Sequence, residues 1–242
     1  MKMKPTLLIL IALITAFGVN SVYAADVSLS FGAKLATSNW TGNNTNSDTS
    51  FAQRSGHVGL NLMLQRDQFY FGFNLQGGNH QFKTGSPERI LANGSTIAAT
   101  ANENIKHNEL DLVLGYYVVK NISIFADLKS ISNEWTDEDP IVKMQASGLG
   151  LGVSGYVPVG KHFIFYGSAG SVPLNVQTDG TDVGQGRVNA IELGGAVNLS
   201  SRNRLSFGFK RQRQHYEFDN GDSQKHNLNS FFIGYNHSLW LR

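Results

Sequence analysis

The chain of 242 residues contains no cysteine. That removes disulfide staples, thiolate metal ligands, cysteine nucleophiles and haem attachment in one step. Charged residues make up only 16%, and they balance to a formal +2, so no basic surplus points to nucleic acid. Long hydrophobic runs are also lacking. A mean hydropathy of −0.19 excludes a polytopic helical membrane protein, which needs several stretches of about 20 apolar residues. What is present is 41% apolar and 11% aromatic residues, enough to bury a core or coat a surface, and this excludes intrinsic disorder.

The first 24 residues read as a targeting segment. Lys2 and Lys4 form a positive start, Leu7 to Ile14 an apolar stretch too short to span a bilayer, and Val22-Tyr23-Ala24 presents small residues where a signal peptidase reads them. Cleavage after Ala24 leaves a single domain over residues 25–242 and takes the formal charge to zero.

From there the chain alternates, and helical periodicity is nowhere convincing. Val27, Leu29, Phe31, Ala33 and Leu35 alternate with small or polar residues, as do Val58 to Leu64 and Phe69 to Leu75. Leu110 to Tyr116, Ile122 to Leu128, Leu149 to Val153, a weaker segment opening at Phe163, Ile191 to Leu199, Leu205 to Phe209 and Phe231 to Leu239 repeat the pattern. These segments predict ten strands. Connections near Arg66-Asp67, Lys120-Asn121, Pro158 to Lys161 and Ser200 to Asn203 are tight. The other five, Asn39–Ser50, Lys83–Asn104, Asn133–Lys143, Gln177–Gly186 and Glu217–Lys225, read as long polar loops. Strict alternation of short and long connections, with both termini on the short side, predicts an all-β fold: a closed antiparallel up-and-down transmembrane barrel with brief periplasmic turns and longer external loops. In such a barrel the Leu and Phe face meets lipid, and the face carrying Asn61, Gln65, Asn74, Gln76 and Gln212 with the charged residues lines the interior.

This pattern, from Val27 to Leu239, resembles the small bacterial outer-membrane β-barrel superfamily, the OmpA-like and porin-like small barrels, without a motif that selects a subfamily. The resemblance implies residence in the cell outer membrane, contact with lipid and lipopolysaccharide, and insertion by the barrel-assembly machinery. Such chains end on an in-phase aromatic residue, whereas here Leu239 is in phase and Trp240 is not.

Ten strands give a barrel little wider than the eight-stranded kind that its own side chains fill. The inward phase holds Lys34, Glu109, Asp111, Asp127, Lys129, Glu192 and Lys210, a nearly neutral set read as a polar network or a narrow conduit. Gly148, Gly150 and Gly152 read as space for large neighbours such as Tyr70, Tyr156 or Phe125, since no helix follows to make a phosphate loop. His57, His80 and His107 share the inward phase, but the expected register leaves His80 a turn above His57, so no metal site is expected. Arg54, Arg211 and Arg213 emerge on the outward face at the external edge of the apolar band, where they suit lipopolysaccharide phosphates or ordinary interfacial snorkelling. Two enzyme families share this architecture, the omptin proteases and the lipid A deacylases. No Asp pair with a His partner at the mouth, and no Ser and His on one face, is legible here, since His237 and Ser238 point to opposite faces. The expectation is therefore a monomer without catalysis or cofactor, acting as a narrow channel or as a structural and surface-binding barrel. The alternatives are an outer-membrane barrel enzyme or a periplasmic soluble barrel.

Overall fold

The computed structural model describes residues 27–45, 47–99, 101–137 and 141–241; the segment read as a signal sequence lies outside them. Ten long strands close into one barrel, and a two-stranded hairpin stands apart from it. In chain order they are β1 (Val27–Asn44), β2 (Ser50–Arg66), β3 (Phe69–Phe82), the hairpin β4 (Arg89–Ile90) and β5 (Thr96–Ile97), β6 (Glu103–Val119), β7 (Ile122–Trp135), β8 (Val142–Val159), β9 (Phe163–Thr178), β10 (Thr181–Asn198), β11 (Asn203–Phe218) and β12 (Ser223–Leu241). Each barrel strand pairs antiparallel with its neighbours, and β1 closes on β12 from Val27 opposite Leu241 to Asn44 opposite Gln224. Closure satisfies the backbone groups that lipid cannot, so a strand barrel suits a bilayer as an open sheet does not.

The tight turns fall where the spacing places them. Asp67 and Gly160 take up φ of 52° and 66° in two of them, the left-handed conformation that lets a chain reverse within a few residues. Around the wall the outward band is apolar: Leu35, Leu60, Leu149, Leu151, Leu193 and Phe231 are each more than half exposed.

Four of the five long polar loops are not observed as such. Strands of 14 to 19 residues exceed the roughly 9–11 that cross the hydrocarbon layer, and the surplus consists of the segments read as loops. Gln177–Gly186 is a hairpin that turns on Asp179-Gly180 alone, with φ of 50° and 84°. An Asp-Gly pair between extended segments is the standard signal for a two-residue turn, and the polar flanks obscured it. Likewise β11 and β12 are joined only by residues 219–222. The polar side chains mark where the outer face leaves lipid, not where pairing stops.

At that level the faces exchange character. On β1 the outward Leu35 is 61% exposed, whereas five residues on, in the opposite phase, Trp40 is 0% exposed. On β8 outward Leu149 gives way to inward Ala146, Met144 and Val142; on β9 inward Val172, Leu174 and Val176 follow; on β10 Ile191 faces out and Val188 in. Beyond the lipid the outside is water, so the hydrophobic effect that places apolar groups outward in the band drives them inward here. One contiguous apolar cluster therefore fills the external half of the barrel, which corrects the expectation of a polar interior throughout.

The remaining long connection, from residue 83 to residue 99, lies across the mouth as a strap. Ser86, Glu88, Arg89 and Ile90 on it are buried. Asn44 on β1 holds it at both ends of one amide, donating from Nδ2 to the Ser86 carbonyl at 2.9 Å and accepting the Glu88 N–H at 3.1 Å. Gln224 on β12 donates to the Glu88 carbonyl at 2.7 Å. Arg89 pairs with Glu103 at 3.4 Å, and Asn220, in the turn between β11 and β12, donates to the Gly94 carbonyl at 2.9 Å.

Candidate functional site

Three layers occupy the interior. At the end with the tight turns, Tyr70, Tyr117 and Tyr156 pack with ring centroids 5.4 and 6.3 Å apart, the first pair tilted and the second edge-on. Tyr70 shares a 3.0 Å hydrogen bond with Ser123, itself 2.7 Å from Ser154. A methyl group on Gly115 would stand 2.0 Å from the Tyr70 ring, and one on Gly152 2.2 Å from Phe125. The packing role expected of Gly152 is thus seen, whereas Gly148 and Gly150 are pressed against the β9 backbone at Pro173 and Ser171.

The middle layer is ionic, centred on Glu109, whose side chain is 2% exposed. Its Oε2 accepts from Lys210 at 3.0 Å and from Gln76 at 2.6 Å. Its Oε1 accepts from Gln212 and lies 3.2 Å from His107 Nε2. Lys129, 4.0 Å from Glu109, donates to Asp111, its register partner across the β6–β7 hairpin. Four of the seven charges expected inside are therefore drawn into one cluster, because β6 and β11 point across the barrel at each other. The other three stand beside it. Lys34 lies over the Phe232 ring at 5.2 Å, Glu192 is the register partner of Lys210, and Asp127 sits opposite Val113, with an Oδ1 that has no hydrogen-bond partner among the described residues.

Above this lies the seal. Trp40 is ringed by His80, His107, His226 and Phe82 at centroid distances of 5.0, 5.1, 5.3 and 5.4 Å, and Phe51, Tyr216 and Ile105 complete a layer of buried side chains. The expected separation of His80 from His57 is corrected: β2 pairs His57 with Gly78, and the two rings share a 2.8 Å hydrogen bond between their Nε2 atoms. Sequence reasoning missed Trp40 because it falls inside a segment read as a loop, and Phe82 and Tyr216 because they lie between the alternating segments read as strands and the loops that follow them. The shift of apolar residues from one phase to the other, as from Leu35 to Trp40, is the signal that finds them.

Chemically, the arrangement orders charge beneath a layer of buried rings. Glu109 faces a cluster already satisfied by cations and amides. The mouth above it is filled by rings and covered by the strap.

On the outer wall Arg54, Arg211 and Arg213 are exposed as expected, with Lys106 and Arg187 exposed on β6 and β10. Two grooves also lie on this wall. One, of about 960 Å³, is bordered by Val157, Phe165, Leu193 and Phe207; the other, of about 590 Å³, by Val58, Leu60, Leu75 and Lys106.

No family model matches the chain, and no curated protein matches it. Among solved structures it is similar to the outer membrane protease OmpT from Escherichia coli, at 8% identity over 91% of this chain and 99% of that one, with a TM-score of 0.52. The translocator domain of autotransporter NalP from Neisseria meningitidis matches at 10% identity over 96% and 94%, with a TM-score of 0.48. Neisserial surface protein A matches at 7% identity over 86% and 96%, with a TM-score of 0.38. At these identities the likeness concerns the fold, the closed barrel of outer-membrane proteins.

Proposed function

We propose that this outer-membrane barrel acts as a sealed structural and surface-displaying protein, monomeric and without a reaction of its own, inserted by the barrel-assembly machinery. One observation carries this reading: the external half of the barrel has an apolar core, with Trp40, Ile105, Val176, Val188 and Tyr216 at 0% exposure, where a conduit needs a polar, hydrated path. The ionic layer below supports it, since Glu109 is committed to Lys210, Gln76 and Gln212. So does the strap, whose Ser86 and Glu88 are buried across the mouth. Catalysis requires a substrate to reach a competent group, and the buried Glu109 and the histidines around Trp40 lie beneath that cover. The test is single-channel recording of the refolded chain in a planar bilayer. A flat baseline is expected. Stable open levels from the unaltered chain would overturn the sealed reading.

A further inference from the structure

The outer wall has an order that the sealed interior does not explain. Counting along each strand from the last outward apolar residue towards the external end, for instance Val58 on β2, Leu110 on β6, Ile191 on β10 and Phe209 on β11, the next outward position on β11 is Arg211. The second outward positions include Arg54, Lys106, Arg187 and Arg213. All other outward positions in these two rows are Gly, Ser, Thr, Asn, Gln or Pro. The first carboxylates appear farther out, as Glu134 and Glu217. The acidic residues of the chain thus avoid the belt where lipid gives way to water, and cations occupy it.

Three of these cations crowd together. Arg211 and Arg213 are two residues apart on β11, about 7 Å along the strand. Arg213 pairs in register with Asn189, which puts Arg187 at the diagonal position, about 7–8 Å away. None of the three has a carboxylate partner among the described residues. Like charges at such spacing oppose one another unless an anion joins them. Asn189 and Asn229 stand beside them, Asn229 as the register partner of Arg211. Arg54 lies in the same row as Arg213, across β12 and β1. Three strand spacings and one two-residue step put it roughly 16 Å away, within the span of two flexible guanidinium arms and a headgroup.

We propose that Arg187, Arg211 and Arg213 form a phosphate site for a phosphorylated glycolipid of the outer leaflet, with Arg54 engaging a second phosphate of the same headgroup. Arg is suited to this, because its planar fork makes bidentate, charge-assisted bonds to phosphate, and the adjoining apolar band receives the acyl chains. The proposal rests on membrane insertion of the barrel but not on the sealing of its interior, so a conducting barrel leaves it standing.

The test uses the full mature chain refolded into phosphatidylcholine nanodiscs, with heat-dependent gel migration confirming the fold of every variant. Retention of a bisphosphorylated lipid A glycolipid, counted by native mass spectrometry, is expected to exceed that of phosphatidylglycerol about tenfold or more, and to fall about tenfold in the Arg211→Gln/Arg213→Gln variant. Arg54→Gln is expected to weaken retention of the bisphosphorylated form and leave the monophosphorylated form unchanged. Lys143→Gln, which alters a cation 3.3 Å from Glu134, should change neither. Equal retention of phosphatidylglycerol or of the dephosphorylated glycolipid, or no loss in the double variant, would overturn the proposal. Displacement by millimolar inorganic pyrophosphate would overturn the commitment to a lipid and assign the site to free phosphate.

Discussion

Glu109 shows how much a single side chain in this barrel depends on its partners. It is buried with Lys210, Gln76, Gln212 and His107 around it, so removing its charge strands at least one buried cation. Glu109→Gln should therefore cost about 3–5 kcal/mol in urea unfolding from lipid vesicles, and Glu109→Leu combined with Lys210→Met should recover part of that loss, because an apolar pair has no desolvation to offset. Equal midpoints for wild type and Glu109→Gln would show that the cluster contributes no stability. Two residues along β6 the contrast is one of face. Leu112→Arg puts an unpartnered cation against lipid and should cost about 2–4 kcal/mol near the bilayer midplane. Asp111→Asn takes the directly bonded carboxylate from buried Lys129 but leaves Glu109 at 4.0 Å, so it should cost less, about 1–2 kcal/mol. Refolding yields of the two variants decide this, and a more disruptive Asp111→Asn would reverse the assignment of faces.

The strands owe their behaviour to changing surroundings. Apart from one bulge each in β6 and β10, the strands keep their period of two, but the apolar residues change phase where the outer solvent changes from lipid to water, as from Leu35 to Trp40 on β1 and from Leu149 to Ala146 on β8. The external half therefore folds as a water-soluble barrel stacked on a membrane one. Trp40→Ala removes the ring about which three histidines and Phe82 pack and should cost about 3–5 kcal/mol, measured by the same urea titration. The strap is tied at Asn44, Gln224 and Asn220, but Asn93 is exposed and Gly94 turns at φ of 81° with open space beside it. A protease site inserted between Asn93 and Gly94 should be cut in intact cells, whereas one at Lys120-Asn121 should survive. The reverse result would invert the topology.

Among the described residues the barrel has no free edge, since β1 pairs with β12 along its full length. Opening it means breaking paired strands with no water at hand. The protein should stay folded in mild detergent and run anomalously on gels until heated; solubility of residues 25–242 without detergent would contradict the membrane assignment. Closure also lets distant chain segments make one interior, since β6 and β11, a hundred residues apart, meet at Glu109, Lys210 and Gln212. The likeness to OmpT at a TM-score of 0.52 belongs to this scale and is a matter of fold.

By itself the sequence determined an all-β barrel of about ten strands, the tight turns at Asp67 and Lys120-Asn121, and the face each residue of the apolar band presents, but not the β4–β5 hairpin. These follow from a period of two and from turn chemistry, both local properties. Much of the inward charge set, including Glu109, Lys129 and Lys210, was legible for the same reason. Only the tertiary structure decided which of those charges meet, since Glu109 reaches Lys210 through closure of the sheet and not through any neighbour in sequence. The fate of the polar segments at the external end was also settled there. A run such as Gln177 to Gly186 reads as a loop when judged by polarity, because the apolar groups that justify it as strand, Val176, Val183 and Val188 among them, find their partners only across the barrel. Burial is a property of what faces a residue, and in a closed barrel that is supplied by strands far away in the chain.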